Sequence, residues 1–533
     1  MRALLANFLK SRGITRKELA LVTGSALFFS LLAISPSIIA WLKTPPGYVF
    51  VGNCSYFDPW DINYYFSIIN WGKLGHWLWE QRYYTGSSQP HFIFLLLIFL
   101  GHLARWFNLT PSLIYHLTAL FFSFCLLIEF YFFAAFFLRG RLARLVAFGL
   151  VSFGGGWGWL SSTWELAVPD ATTFSTLHVP HFAADQFFFL ALLGGSYLVL
   201  TATKKTKWLA LTQFLLLPCF SVLLTLIHPY MTVAAVAIVG VFGVFLAWRE
   251  KNLSRFWSLF PMMLVSALAV VGAYWDLVSD PLLKNQFISP QNRISTPSFP
   301  YIFLMYGALS GLVVFGLWSR NHPSRRGSMF LMAWLIIQLA FLYSPLKPQR
   351  ASLKGFYMIL ALWGAVGFSW LMIQGARWAR ATAFWLLLGL FFSQPVLLAA
   401  NYFQVTKDNP WAYVTNAEYS ALGWLAKNSY PGTVIFSSWT FGNLVPVYTS
   451  GTTYFGGLGD HASSLRQEVT RFYSVEISEK ERLEFLKSAK VNFLVVGPRE
   501  KLIGGYQPTP SATLKLVYDR EAIRIYEVSA TRS

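Results

Sequence analysis

Between residues 20 and 400 the sequence alternates long apolar runs with short basic clusters, and that alternation restricts what the chain can fold into. A run of about 20 apolar residues is what an α-helix needs to cross a hydrocarbon core. Composition agrees: 55% of the 533 residues are hydrophobic and 12% charged, about half the charge of a soluble chain. A cytosolic enzyme, a disordered scaffold and a disulfide-stapled secreted domain are thereby excluded. The three cysteines, Cys54, Cys125 and Cys219, give neither a disulfide framework nor a CxxC pair.

The formal charge of +19 would suit nucleic acid if it were spread over a soluble surface. It is not. Residues 1–400 carry 28 Lys/Arg against 11 Asp/Glu, whereas 401–533 are nearly balanced at 14 against 12. Nineteen of those basic residues fall in six clusters: Arg2 to Lys17, Arg139 to Arg144, Lys204 to Lys207, Arg249 to Arg255, Arg320 to Arg326, and Arg377 with Arg380. Cytoplasmic loops collect Lys and Arg, so a single membrane face accounts for the pattern without nucleic acid. The clusters delimit eleven expected spans, at about 20–42, 112–138, 143–160, 183–202, 207–227, 229–248, 256–275, 300–318, 328–344, 354–374 and 381–400. With a cytoplasmic N-terminus, this count puts every basic cluster inside and residues 401–533 outside. The short run 92–107 fits a helix lying in the outer interface, because counting it as a span would invert every later loop. The first span lacks a cleavage pattern and is expected to be a retained anchor.

Eight of the eleven acids before residue 401 fall on the outer side: Asp58, Asp61, Glu80, Glu165, Asp170, Asp185, Asp276 and Asp280. Acids contribute little to orientation, so their placement needs another cause. Outer loop 43–111 is aromatic and punctuated by glycine, as a folded roof would be. Within it Asp58 can cap a helix begun by Pro59, and Asp61 can complement its dipole. Alternatively one carboxylate serves as general base on an acceptor hydroxyl, or ligates a divalent cation such as Mg or Mn. Outer loop 161–182 holds Glu165, Asp170, His178 and His181 and no Lys or Arg, and His228 ends a span in the same setting. These histidines read either as interfacial residues beside prolines or as substrate ligands. Loop 344–354 breaks the charge pattern by placing Lys347, Arg350 and Lys354 outside. A lipid phosphate would supply their partner, and pairing with the outer acids is the alternative. The glycine patch 154–158 suits close helix packing rather than nucleotide binding. Glu129, inside a span, is expected to face the bundle and find a hydrogen-bond partner.

The stretches SYFDPWDINYYFSIINWG, FGGGWGWL, VPDATTFSTLHVPHF, LIHPY, KPQRASLKG and NLVPVYTSGTTYFGG, taken in order, resemble the GT-C-type membrane glycosyltransferases. Those enzymes use a polyprenyl-phosphate- or polyprenyl-pyrophosphate-linked sugar. The resemblance implies that Asp58 or Asp61 is the first-loop base or metal ligand, and that Asp170 is the second-loop acid. It implies that Arg350 with Lys354 lies near the lipid phosphate, with Lys347, His181 and His228 as further substrate contacts. Any metal would sit on Asp61 and Asp170, and transfer would invert the sugar. The first-loop acids read Asp-Pro-Trp-Asp rather than a contiguous pair, and His461 departs from the family's Gly-His spacing.

Residues 401–533 have ordinary soluble composition. A helix is predicted at 416–428, a strand at 433–437, a helix at 479–488 opened by a Ser478–Glu481 capping box, and strands at 491–496, 513–518 and 523–528. The expected fold is therefore an all-α polytopic membrane bundle over 1–400, with interfacial helices in its first outer loop, plus a small α/β domain over 401–533. The expected function is a multi-pass cell-membrane glycosyltransferase acting on a glycan, lipid or protein acceptor outside the cytoplasm. A transporter or flippase of lipid-linked saccharide and a non-catalytic envelope-assembly subunit are the alternatives. A transporter would favour internal repeats and midplane charges, and neither stands out.

Overall fold

A computed structural model describes residues 8–56, 59–86, 89–157, 160, 171–204, 206–281, 283–284, 296–319, 323–345, 349, 353–457 and 462–529. Among these, nine helices are long and apolar enough to cross a membrane, from Arg16–Leu42 to Arg377–Tyr402. A tenth candidate is bent: Phe299–Tyr306 meets Ala308–Trp318 at 97°. Gly307 makes the bend, with φ of +52° and Trp157 packed where a side chain would project. The chain is thus a polytopic helical bundle with a small sheet toward its C-terminus.

Ten of the eleven expected spans appear as apolar helices of spanning length or as that bent pair. The segment 143–160 differs. It is a 13-residue helix, Arg141–Phe153, about 20 Å long and too short to cross alone. Gly154 ends it, and the following backbone runs extended between helices. Tyr357 Oη donates to Gly155 O (3.0 Å), Gln394 Nε2 to Gly154 O (2.9 Å) and Ser393 Oγ to Gly156 O (3.1 Å). Gly155 N–H donates to Leu390 O at 2.7 Å. Irregular backbone survives inside a bundle only when its polar groups are satisfied by protein in this way. A Cβ on Gly154 would lie 2.6 Å from Tyr357 Oη, so the glycine permits the approach.

The chain divides into two compact units, residues 1–35, 116–275 and 292–400 in one, and 36–115, 276–291 and 401–533 in the other. In the first, Glu18 and Arg144 are fully buried. Arg144 grips both Glu18 oxygens (2.9 and 3.2 Å), and Tyr131 Oη donates to the same carboxylate at 2.6 Å. Removing one member of such a pair strands a buried charge, at about 3–5 kcal/mol. Arg144→Met should therefore melt well below wild type in detergent. The double variant Glu18→Gln, Arg144→Met should recover most of the loss, and equal melting of the single variant and wild type would refute the assignment. Glu129 Oε2 finds no hydrogen-bond partner among the described residues.

In the second unit, β1 (Tyr48–Phe50) pairs antiparallel with β2 (Tyr413–Thr415), tying the first loop to the C-terminal segment. A five-stranded mixed sheet follows, built from β3 (Val434–Phe436), β4 (Thr452–Thr453), β5 (Phe493–Val496), β6 (Leu514–Arg520) and β7 (Ile523–Val528) in the order β4-β3-β5-β7-β6. Both capping boxes, Thr415 with Glu418 and Ser478 with Glu481, start the helices that flank it. Arg82 completes the join: buried over Trp71, its guanidinium donates to Ser67 O and Pro446 O (2.6 Å each) and Thr449 O (2.8 Å). Segment 92–107 forms the 12-residue helix Leu95–Trp106. It touches helix Pro59–Lys73 backbone to backbone, because a Cβ on Gly72 or Gly101 would lie 2.2 Å from a carbonyl of the other helix.

Candidate functional site

In the membrane unit, three helices bring ionisable groups together at their ends opposite the basic clusters. Helix Pro180–Thr201 carries His181 and Asp185 in its first turns, one above the other at i and i+4. Helix Pro229–Glu250 starts from His228, with Tyr230 in its first turn. Lys354 immediately precedes helix Phe356–Gln374. Gly355 allows that entry, since its φ is +79° and Phe189 occupies the place of a side chain.

Asp185 is the hub. It is fully buried, and its Oδ2 accepts from His228 Nδ1 at 2.5 Å while Lys354 Nζ stands 3.3 Å away. The Asp185 contact puts the imidazole proton on Nδ1 and makes Nε2 an acceptor, with Lys354 Nζ 3.5 Å from it. Lys354, 2% exposed, also donates to Tyr230 Oη at 2.8 Å and lies 3.6 Å from the centre of the Phe182 ring. Its backbone is held from behind: Gln338 Nε2 donates to Lys354 O at 2.5 Å, and Trp334 Nε1 donates to Gln338. The His181 ring lies 5.6 Å from that of His228. Asp185 Oδ1 is buried with no hydrogen-bond partner among the described residues, an acceptor left open to a donor. The Lys354 ammonium and the Tyr230 phenol together form a donor set suited to a phosphate oxygen.

The structure thus assembles His181, His228 and Lys354 from the expected substrate-binding set. Lys347 and Arg350 lie outside the described residues, as do Asp58, Asp170, Glu165 and His461. Asp185 and Tyr230 join the group without having been singled out, although the i, i+4 spacing from His181 was legible.

In the other unit, Asp61 sits exposed in the first turn of helix Pro59–Lys73, where its charge meets the positive end of the helix dipole. Burial, then the charges of Tyr83 and Asp61, push the Tyr64 phenol up from its usual range. Next to Asp61 in sequence, Trp60 lies 6.0 and 5.9 Å from Trp411 and Trp439, which are 5.0 Å from each other. All three rings are partly exposed, a surface on which a sugar ring can stack. Asp276 and Asp280 take a different part: they bracket His91, with Nδ1 3.3 Å from Asp276 and Nε2 3.0 Å from Asp280. That bracket fastens the end of helix Phe260–Ser279 to the bridge between Trp79 and His91. Among the described residues no group of three His, Cys, Asp or Glu is arranged to hold a metal. The expected metal pair includes Asp170, outside those residues.

No protein-family model matches the sequence, and neither does the sequence of any curated protein. Solved structures do match. The archaeal oligosaccharyltransferase AglB of Archaeoglobus fulgidus, in complex with an inhibitory peptide and a dolichol-phosphate, superposes with a TM-score of 0.53 at 14% identity, over 90% of this chain and 70% of that one. The same organism's oligosaccharyltransferase in complex with Zn and sulfate gives 0.52 at 15% identity, over 88% and 67%. The mycobacterial arabinofuranosyltransferase AftD gives 0.54 at 15% identity over 97% of this chain, which spans only 40% of that protein. At these identities the likeness is one of fold, shared with AglB and AftD.

Proposed function

We propose that this chain is a membrane glycosyltransferase that moves a sugar from a polyprenyl-phosphate-linked donor to an acceptor outside the cytoplasm. One observation carries the proposal: a buried lysine and histidine share a carboxylate in a helical bundle of the GT-C fold. AglB was solved with a dolichol-phosphate, so a lipid phosphate has precedent in this architecture. Here the phosphate oxygens would take donors from Lys354 and Tyr230, with His181 and His228 beside them and Lys347 and Arg350 adding charge. Asp185 would hold Lys354 and His228 in place and balance the ammonium until the donor arrives. Asp61, with Asp58 and Asp170 in the same proposed set, would take the proton from the acceptor hydroxyl. The acceptor oxygen then bonds to the anomeric carbon as the bond from that carbon to the phosphate oxygen breaks, and the polyprenyl phosphate leaves with its electrons. Stabilising the charge on that leaving group is the task of the Lys354 cluster. A divalent cation such as Mg or Mn on Asp61 and Asp170 would add Lewis-acid stabilisation when bound.

The proposal also fixes a sidedness, with the N-terminus in the cytoplasm and residues 401–533 outside. Turnover of a labelled polyprenyl-phosphate sugar in proteoliposomes tests the assignment, with transfer expected and intact passage of the lipid-linked sugar refuting it. The Trp60, Trp411 and Trp439 rings would serve as an acceptor platform. Trp439→Ala should raise the KM for a saccharide acceptor about 2–10-fold, given about 0.5–1.5 kcal/mol per aromatic contact, and leave donor binding unchanged. An unchanged KM would remove the platform from the scheme.

A further inference from the structure

At the basic end of the membrane unit lies a cavity of about 850 Å³, away from the Asp185 cluster along the same helices. Its basic wall is Arg12, Arg249, Arg325 and Arg326, drawn from three separate stretches of the sequence. The lining includes one acid, Glu250, and that acid is already matched: Arg326 reaches it at 2.7 Å and Arg255 at 2.8 Å. Arg12, Arg249 and Arg325 form no ion pair among the described residues. Arg249 Nη1 meets only a thioether, Met329 Sδ, at 3.3 Å. Burial, then the charge of Arg139, presses the Arg12 guanidinium down from its ordinary range, as expected where positive charges gather without a counter-charge.

Two further features give the cavity a polarity. The 18-residue helix Arg325–Leu342 begins at its edge, capped by Ser324, so backbone N–H groups add to the positive field. Phe8, Phe136 and Leu198 form an apolar part of the wall, and Ser11, Tyr197, Thr201 and Ser324 complete the lining. Leu198 is 41% exposed on a spanning helix, so this wall continues onto a lipid-facing surface. Guanidinium forks beside an apolar wall match a phosphate group with a hydrocarbon chain attached.

We infer that this cavity is a second anion site, which binds a phosphate group carried by an anionic lipid or by a soluble phosphate. The site is separate from the donor cluster, and its test does not depend on glycosyl transfer. The full chain in detergent would be titrated with phosphatidylglycerol or phosphatidylcholine and read by native mass spectrometry. In a parallel arm, inorganic phosphate would be added and thermal melting followed. Wild type should retain phosphatidylglycerol about tenfold over phosphatidylcholine if the source is lipid, or show a melting shift with inorganic phosphate if it is soluble. The variant Arg12→Gln, Arg249→Gln, Arg325→Gln leaves the Arg326–Glu250 pair intact and should lose either preference by at least about tenfold. The corresponding triple Lys variant, which keeps the charge, should retain part of it and guards against misfolding. A wild-type protein with neither preference would overturn the inference, as would a monodisperse Gln variant that keeps it.

Discussion

The Asp185→Asn, Lys354→Met double variant should lose about 10–100-fold of its affinity for a polyprenyl phosphate while remaining folded. Hydrogen bonds to a charged group contribute about 1.5–3 kcal/mol, and removing the ammonium forfeits the strongest of them. The double variant is needed because Lys354→Met alone would leave Asp185, which is fully buried, without its cation. That residue loss alone would cost about 3–5 kcal/mol of stability and confuse the readout. Retention of polyprenyl phosphate by native mass spectrometry checks the result, with Gln338→Ala as a graded control. Gln338 holds only the Lys354 carbonyl, so its loss should weaken binding less. Unchanged binding in a well-folded double variant would make the Asp185–Lys354 pair a structural strut.

Asp61→Asn should lower sugar transfer by about 10²–10⁴-fold with donor lipid still bound, because a general base contributes in that range. The amide keeps the size and much of the hydrogen bonding of the carboxylate but cannot accept the proton. If Asp61 only complements the dipole of helix Pro59–Lys73, the substitution should cost about 0.3–1 kcal/mol of stability and leave turnover normal. Turnover and melting temperature therefore separate the two roles in one variant.

Most of the bundle was legible because membrane insertion writes itself into sequence as apolar runs between basic clusters. The exception is instructive. Residues 143–160 satisfy the same hydropathy, yet Gly154 ends the helix, because Tyr357, Gln394 and Ser393 offer its backbone partners from distant positions. No local pattern announces that. The C-terminal helices were legible down to a capping box, since Ser478 and Glu481 are a short-range signal. The join between 36–115 and 401–533 was not, because it depends on one buried Arg82 and a three-residue pairing of β1 with β2. At the candidate site, His181, His228 and Lys354 stood out by their setting, whereas Asp185 was one acid among eight. Its meaning comes from the two basic groups that meet it in space. His91 gave no signal either, for its partners Asp276 and Asp280 are 185 and 189 residues away.

Cleavage of the bond between a sugar and a lipid phosphate is the step that defines the proposed reaction. The direct measurement is to reconstitute the full chain in proteoliposomes with a labelled polyprenyl-phosphate sugar, supply an envelope extract as acceptor, and separate lipid from glycan by mass spectrometry. Labelled glycan and free polyprenyl phosphate are expected with wild type, and neither with Asp61→Asn or the Asp185→Asn, Lys354→Met variant. Labelled sugar that stays on its lipid while the lipid crosses the bilayer would contradict the proposed reaction.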